Sequence, residues 1–275
     1  MNTYAFLCVA SNEKYRAEAA NLILSAKEFG DYTWYLDADK PLNIGERFTQ
    51  MPPEEQAGWA LKSNGKFFQK YFSLERALHL YPNGPDYIIF VDSDCVFYGP
   101  PAMSRLMLQN RRAFALLEGN MLNDGRTWFL TSQERTRWLD KLPRLHPHVY
   151  YNLNGGFLGI RRDCFGEFMA LVDRAVSTSV RMCLNPCTWR SEEPYTSYAI
   201  HQMNPDLDGL IIEKNLDIFF YTGWYEKKPP DFENWGTGKC TSTPANLGIV
   251  HVFNKHDLLA ADGRAKMAAL GKPHV

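Results

Sequence analysis

The sequence predicts an α/β fold, a mostly parallel central sheet flanked by helices. Three observations predict it. From Thr3 to Val91, apolar runs alternate with stretches of helical spacing in the order strand–helix–strand–helix–strand, the pattern of parallel strands joined by crossover helices. Apolar residues make up 45% of the 275-residue chain, enough for a sizeable core. The run YIIFV, Tyr87 to Val91, passes straight into Asp92-Ser93-Asp94. Polar chemistry then sits at the carboxyl end of a buried strand, where such sheets bind ligands.

The elements follow in order. TYAFLCVA, 3–10, reads as a buried first strand. Residues 12–29 read as a helix, with Tyr15, Ala19, Ile23 and Ala26 at helical spacing and Gly30 as its stop. DYTWYL, 31–36, is a second strand ending at Asp37-Ala38-Asp39, and 41–53 is a loop punctuated by Pro and Gly. Residues 66–80 form an amphipathic helix with Phe67, Tyr71, Leu74 and Leu78 on one side. The Tyr87–Val91 strand follows, then a short helix over 101–110 and the strand AFALLEG, 113–119. The stretch 120–150 is irregular apart from a short helix at 132–140. NGGFLGI, 154–160, is a glycine-rich entry to a strand, with helices at 165–180 and 192–202. GLIIEKNLDIFF, 209–220, supplies one or two strands, 221–247 is loop, LGIVHVF is a late strand, and a terminal helix follows. The expected organisation is a single domain over 1–275, with one half at 1–118, a second at 119–256 and a C-terminal helix or tail at 257–275.

The formal net charge of -1 argues against a polyelectrolyte binder. The start, MNTYAFLCVASNEKY, reads as a strand rather than a signal peptide, and no run reaches the length of a membrane span. The six scattered cysteines read as reduced thiols and the compartment as cytoplasm. The glycine spacing matches neither a dinucleotide fingerprint nor a phosphate loop.

Asp92 and Asp94 are the leading candidate ligands. Mg²⁺ or Mn²⁺ prefers carboxylate oxygen and can bridge to a diphosphate; the bland reading is a solvated turn. Asp37 also follows a strand and could touch a nucleotide. His251, on the late strand, could complete a metal shell or be an ordinary half-buried histidine. Asn254 and Lys255 follow it, and Lys255 could neutralise a phosphate. Asn154-Gly155-Gly156 either brings backbone close to a ligand such as a sugar or makes a tight turn. Glu192 and Glu193 stand at a helix start, where they could act as a general base or simply favour the helix N-terminus. Glu118, at the end of its strand, is equally open. Trp128, in a loop, could stack on a sugar or pack the loop. Lys66 could reach a phosphate or remain solvated.

Together these segments resemble a metal-dependent glycosyltransferase of the GT-A (Rossmann-like) fold. The nearest pattern is the glycosyltransferase domain of multifunctional lysyl hydroxylases and collagen galactosyltransferases. The resemblance runs from about Tyr4 to His256 and is carried by ASNEKYRAEAANLILSAKEFG, NGKFFQKYFSLERAL, IIFVDSDCVF, FALLEG, NLNGGFLGI, SEEPYTSYAI, LDIFFY and HVFN. It implies donor binding by Ala10, Asp37, Lys66, Asp92, Ser93, Trp128, Asn154, Gly155, Gly156, Asn254 and Lys255. It implies metal binding by Asp92, Asp94 and His251, and catalytic roles for Glu118, Glu192 and Glu193. The chain departs from the pattern in its acid spacing. The relatives keep Asp-Ser-Tyr-Asp, whereas here Asp94 precedes Cys95, giving the Asp-x-Asp of glycogenin-like enzymes.

The implied reaction is Mn²⁺- or Mg²⁺-dependent transfer of a hexose from a UDP-sugar to a hydroxyl, with inversion. Retention of the glycogenin or lipopolysaccharide type, a nucleotide-sugar phosphohydrolase and an inactive sugar-binding protein of the same fold are the alternatives. The acceptor is open among a protein, a glycan, a small molecule and a modified nucleic acid.

Overall fold

The computed structural model describes residues 3–42, 49–51, 69–97, 99–101, 111–120, 132–145, 152–183, 192–204, 219–222 and 249–252. In chain order the elements begin with β1 (Tyr4–Ala10), α1 (Glu13–Lys27), β2 (Trp34–Ala38), β3 (Thr49–Gln50), α2 (Gln69–Leu80), β4 (Tyr87–Val91) and β5 (Cys95–Phe97). They continue with β6 (Ala113–Asn120), α3 (Ser132–Leu139), β7 (Asn152–Arg161), α4 (Phe165–Arg181), α5 (Glu193–Met203), β8 (Phe219–Thr222) and β9 (Ile249–Val252). The fold class is as expected, α/β with a mostly parallel sheet flanked by helices. Among the described residues, no helix is long and apolar enough to cross a membrane. The chain divides into two compact units. One comprises Ala5–Met51, Val91–Leu108 and Lys214–Val275, the other Met1–Tyr4, Pro52–Phe90 and Gln109–Glu213.

In the first unit β3, β2 and β1 lie side by side and pair in parallel. The β1 run is buried at Ala5, Phe6, Leu7, Cys8 and Ala10, as a strand covered on both faces must be. Helix α1 starts where Asn12 Oδ1 accepts a hydrogen bond from the Tyr15 amide at 3.1 Å, a side-chain cap for an otherwise orphaned donor. Its buried face is Glu18, Ala19, Leu22, Ile23 and Ala26. Phe6, Trp34 and Phe97 form an aromatic cluster with centroids 5.0–6.0 Å apart. A second, three-stranded sheet has the order β5-β9-β8, with β5 antiparallel and β8 parallel to β9.

Two expectations need correction here. The second strand does not stop before Asp37. It runs to Ala38, because Val9↔Asp37 and Ala10↔Ala38 continue the ladder with β1. The stretch 41–53, expected to be loop, contains β3, whose two residues pair with Tyr35 and Leu36. So short a strand has no periodicity of its own to read.

In the second unit β4, β7 and β6 are neighbours, and β6 runs antiparallel to β7. Asn154-Gly155-Gly156 is not a strand entry but lies inside β7. Gly159 pairs with Phe114, and a Cβ at Gly159 would collide with the Phe114 ring. The glycine is therefore a packing requirement. Trp138, fully buried, donates from Nε1 to the Ala175 carbonyl at 3.2 Å and packs edge-on against Tyr195 and Tyr198. Its polar edge is thereby satisfied inside the core. The expected helices at 101–110 and the C-terminus, and most of 209–218 and 221–247, lie outside the described residues.

Thr3 clamps Asp86 from both its amide (2.7 Å) and its hydroxyl (3.0 Å), and the Asp86 amide donates back to Thr3 Oγ1 at 3.2 Å. The backbone donor and then the hydroxyl hold the Asp86 carboxyl below its usual range.

Gly159→Ala is expected to lower stability by about 1–3 kcal/mol through overpacking, read as a lower urea midpoint, and Phe114→Leu in the same chain should restore part of it. For Asp86 the lowered folded pKa means that its contribution is present above the unfolded value of about 3.9 and is lost as pH falls toward the folded value. Asp86→Asn should therefore be less stable than wild type at neutral pH, and the difference should close on acidification below pH ~4. Thermal melts across pH check this.

Candidate functional site

Among the described residues, a cluster of polar side chains is built within each unit. The first unit takes up the chain at Val91, the last residue of β4, and the chain turns at once. The Cys95 amide donates to the Asp92 carbonyl at 3.1 Å, closing a tight turn over Asp92-Ser93-Asp94. The turn is anchored from α1, where Glu18 accepts a 2.8 Å hydrogen bond from the Ser93 hydroxyl, both residues being buried. Strand β5 then pairs with β9 in a register that sets Cys95 opposite His251. Direct cross-strand partners face the same side of a sheet, so His251 is delivered to the acidic turn.

His251 Nε2 lies 3.0 Å from Asp94 Oδ1 and 3.7 Å from Asp92 Oδ2. The Asp94 and His251 side chains are each 9% exposed and Asp92 is 36% exposed, so Asp92 is the member open to an incoming ligand. One donor atom from each of Asp94, Cys95 and His251 lies within 4.8 Å of the other two. Donors bonded to one ion at about 2.0–2.3 Å stand about 3–4 Å apart. Carboxylate, imidazole and thiol here lie within 4.8 Å of one another, close enough for small side-chain rotations to bring them onto one divalent ion, and by donor type they fit such an ion. The Asp92, Asp94 and Glu18 carboxylates add to burial in pushing the Cys8 thiol on β1 well above its ordinary range. Cys8 thus stays protonated beside this concentration of negative charge.

Two other described residues predicted to bind the donor, Ala10 and Asp37, lie on strands of this unit. Ala10 ends β1, and its carbonyl accepts from the Asp39 amide at 3.3 Å. Asp37 is buried within β2. Asp39 pairs with Arg16 at 2.5 Å.

In the second unit the centre is an ion pair between Lys70 on α2 and Glu192, which immediately precedes α5, both buried. Lys70 Nζ also donates to the Gly155 carbonyl at 2.5 Å and sits 4.8 Å from the Phe90 ring centroid. Glu193 Oε1 accepts from the Gly155 amide at 3.1 Å. A Cβ on Gly155 would collide with Glu192 Oε1 and Lys70 Nζ, so what lies against this glycine is the ion pair. The Tyr71 hydroxyl bridges Thr196 Oγ1 at 2.5 Å and the Glu192 carbonyl at 3.3 Å. Burial, then the Glu192 charge, raises its pKa well above the ordinary value, keeping it a neutral hydrogen-bonding group.

Glu118 lies in β6, within the register shift between Leu117 and Asn120, and Asn154 pairs with Leu116. Gly156 is buried in β7. Lys66, Trp128, Asn254 and Lys255 lie outside the described residues. Lys70 is not among the predicted site residues, although its position carries a signal. Lys70, Leu74 and Ala77 stand at i, i+4 and i+7, the spacing of one buried helix face.

No protein-family model matches the chain. No curated protein matches it either. Among solved structures it is similar to the crystal structure of the galactosyltransferase LgtC in complex with donor and acceptor sugar analogs. The TM-score is 0.57 at 13% sequence identity, covering 97% of this chain and 95% of that one. The likeness establishes the GT-A fold.

Breaking a buried pair leaves one charge uncompensated, at about 3–5 kcal/mol. Lys70→Met is expected to cost that much by denaturant titration, and Lys70→Met with Glu192→Leu should cost clearly less than Lys70→Met alone. A double mutant no more stable than the single one would mean that the pair is not coupled.

Proposed function

We propose that this protein is a metal-dependent glycosyltransferase that moves a hexose from a UDP-sugar to a hydroxyl acceptor. The observation that carries the reading is the convergence of His251, far along the chain, with Asp92 and Asp94 at the end of β4. The whole-length likeness to a galactosyltransferase solved with donor and acceptor analogs supports it.

In this reading Asp92, Asp94 and His251 hold Mn²⁺ or Mg²⁺. A divalent ion there neutralises the diphosphate as the sugar–phosphate bond breaks. Ser93 orients the acidic turn through its bond to Glu18. Asp37 in β2 and Ala10 at the end of β1 are assigned to the nucleotide, and Lys66, Asn254 and Lys255 to the phosphates. Asn154, Gly155, Gly156 and Trp128 are assigned to the sugar. Glu118, Glu192 and Glu193 are the candidate catalytic carboxylates, with one of the last two deprotonating the acceptor if the reaction inverts. The chain acts as one glycosyltransferase domain.

Retention is the second reading, and one observation favours it. Glu192 is engaged by Lys70, and Glu193 accepts from the Gly155 amide. Both carboxylates are held as orienting groups, which suits positioning more than proton abstraction.

The test is donor hydrolysis with Mn²⁺ across a panel of nucleotide sugars, followed by acceptor screening. Wild type should hydrolyse or bind UDP-sugar only with the metal. Asp92→Asn and His251→Ala should each reduce turnover by about 100-fold or more. Folded wild type that neither binds nor hydrolyses any donor would sink the proposal. The anomeric configuration of the product, read by NMR, decides between inversion and retention.

A further inference from the structure

We infer that Cys95 is a metal ligand, and that with Asp94 and His251 it makes this centre a site for softer divalent ions, Zn²⁺, Co²⁺ and Cd²⁺, which compete with Mn²⁺ or Mg²⁺. The inference rests on the reading of the acidic turn as a metal centre and names an ion class that turns it off. Three observations carry it. Cys95 begins β5 directly opposite His251 in the antiparallel register, so thiol and imidazole share a face. Asp94, Cys95 and His251 each offer a donor atom within 4.8 Å of the others. The three residues are sheltered, with Cys95 1% and His251 7% exposed, so an ion there loses most of its water and depends on the protein's donors.

The donor set decides the preference. Mg²⁺ and Mn²⁺ are oxygen-seeking, and sulfur adds little to their binding. Zn²⁺ and Cd²⁺ bind thiolate strongly; sulfur, nitrogen and carboxylate oxygen are all zinc donors, and three protein ligands with an open fourth position is the pattern of catalytic zinc sites. On binding, the Cys95 S–H bond breaks, the thiolate keeps the electron pair and donates it to the metal, and the proton leaves to buffer. No oxidant or reductant is required. Asp92, the most exposed of the acids, adds a carboxylate oxygen for the harder ion, which would bridge it to a diphosphate.

Divalent affinity generally rises from Mn²⁺ to Zn²⁺ whatever the ligands, so tight zinc binding alone does not test the inference. The test compares Co²⁺, Cd²⁺ and Mn²⁺ on the full chain as wild type, Cys95→Ser and Cys8→Ser. The Co²⁺ complex of wild type should show a sulfur-to-cobalt charge-transfer absorption that Cys8→Ser keeps and Cys95→Ser loses. Cd²⁺ affinity by calorimetry should fall by about tenfold or more in Cys95→Ser while Mn²⁺ affinity by EPR changes by less than about threefold. Should Cys95→Ser fail to fold, cadmium NMR of wild type gives the same answer, because a directly bonded sulfur moves the resonance far from its position in an all-oxygen and nitrogen shell. Mn²⁺ bound with no cobalt charge-transfer band, or with unchanged Cd²⁺ affinity in Cys95→Ser, overturns the role of Cys95 and leaves the glycosyltransferase reading standing. Absence of binding by all three ions overturns both.

Discussion

The pairing of β5 with β9 is the constraint on which the candidate metal centre depends. Asp92 and Asp94 flank Ser93 and are fixed by one tight turn. His251 reaches them only because the antiparallel ladder places it across from Cys95. A slip of one residue would turn His251 to the opposite face and remove the imidazole from the acidic turn. The ladder is reinforced on its other side, where β8 runs parallel to β9 and sets Tyr221 beside His251. Glu18 of α1 holds the turn from below through Ser93, so the carboxylates are positioned from helix and sheet at once.

The second unit answers a different physical problem, a lysine buried at 6% exposure. Its charge is met by Glu192, by the Gly155 carbonyl and by the face of Phe90. Glu193 closes the arrangement by accepting from the Gly155 amide. Such an arrangement is a poor source of net stability, because desolvating two charges offsets most of their attraction. Its geometry is specific, however. It requires glycine at 155, a lysine on the apolar face of α2 and consecutive glutamates before the body of α5. Burying ionised groups at this cost is a common mark of a working site.

Much of the fold was legible in the sequence. The apolar runs of β1 and β4, the helical spacing of α1 and α4 and the proline-bounded start of α5 each carried a local signal. What escaped had no local signal. β3 is two residues long and exists through its pairing with β2. Asp37 looked like a strand-end turn residue, yet its backbone continues the ladder to β1. The glycines at 155 and 156 looked like an entry turn, although they lie within β7. Strand ends and glycines are decided by what lies alongside, which composition does not encode.

The same division holds for the candidate site. The sequence by itself determined that an apolar strand ends in two carboxylates, that a late strand carries a histidine, and that glutamates open a helix. These are matters of residue type and spacing. Only the tertiary structure decided that His251 stands 3.0 Å from Asp94, that Cys95 offers an atom within 4.8 Å of theirs, and that Lys70 rather than solvent faces Glu192. Ladder register and helix packing set those distances, and both depend on contacts between residues far apart in the chain.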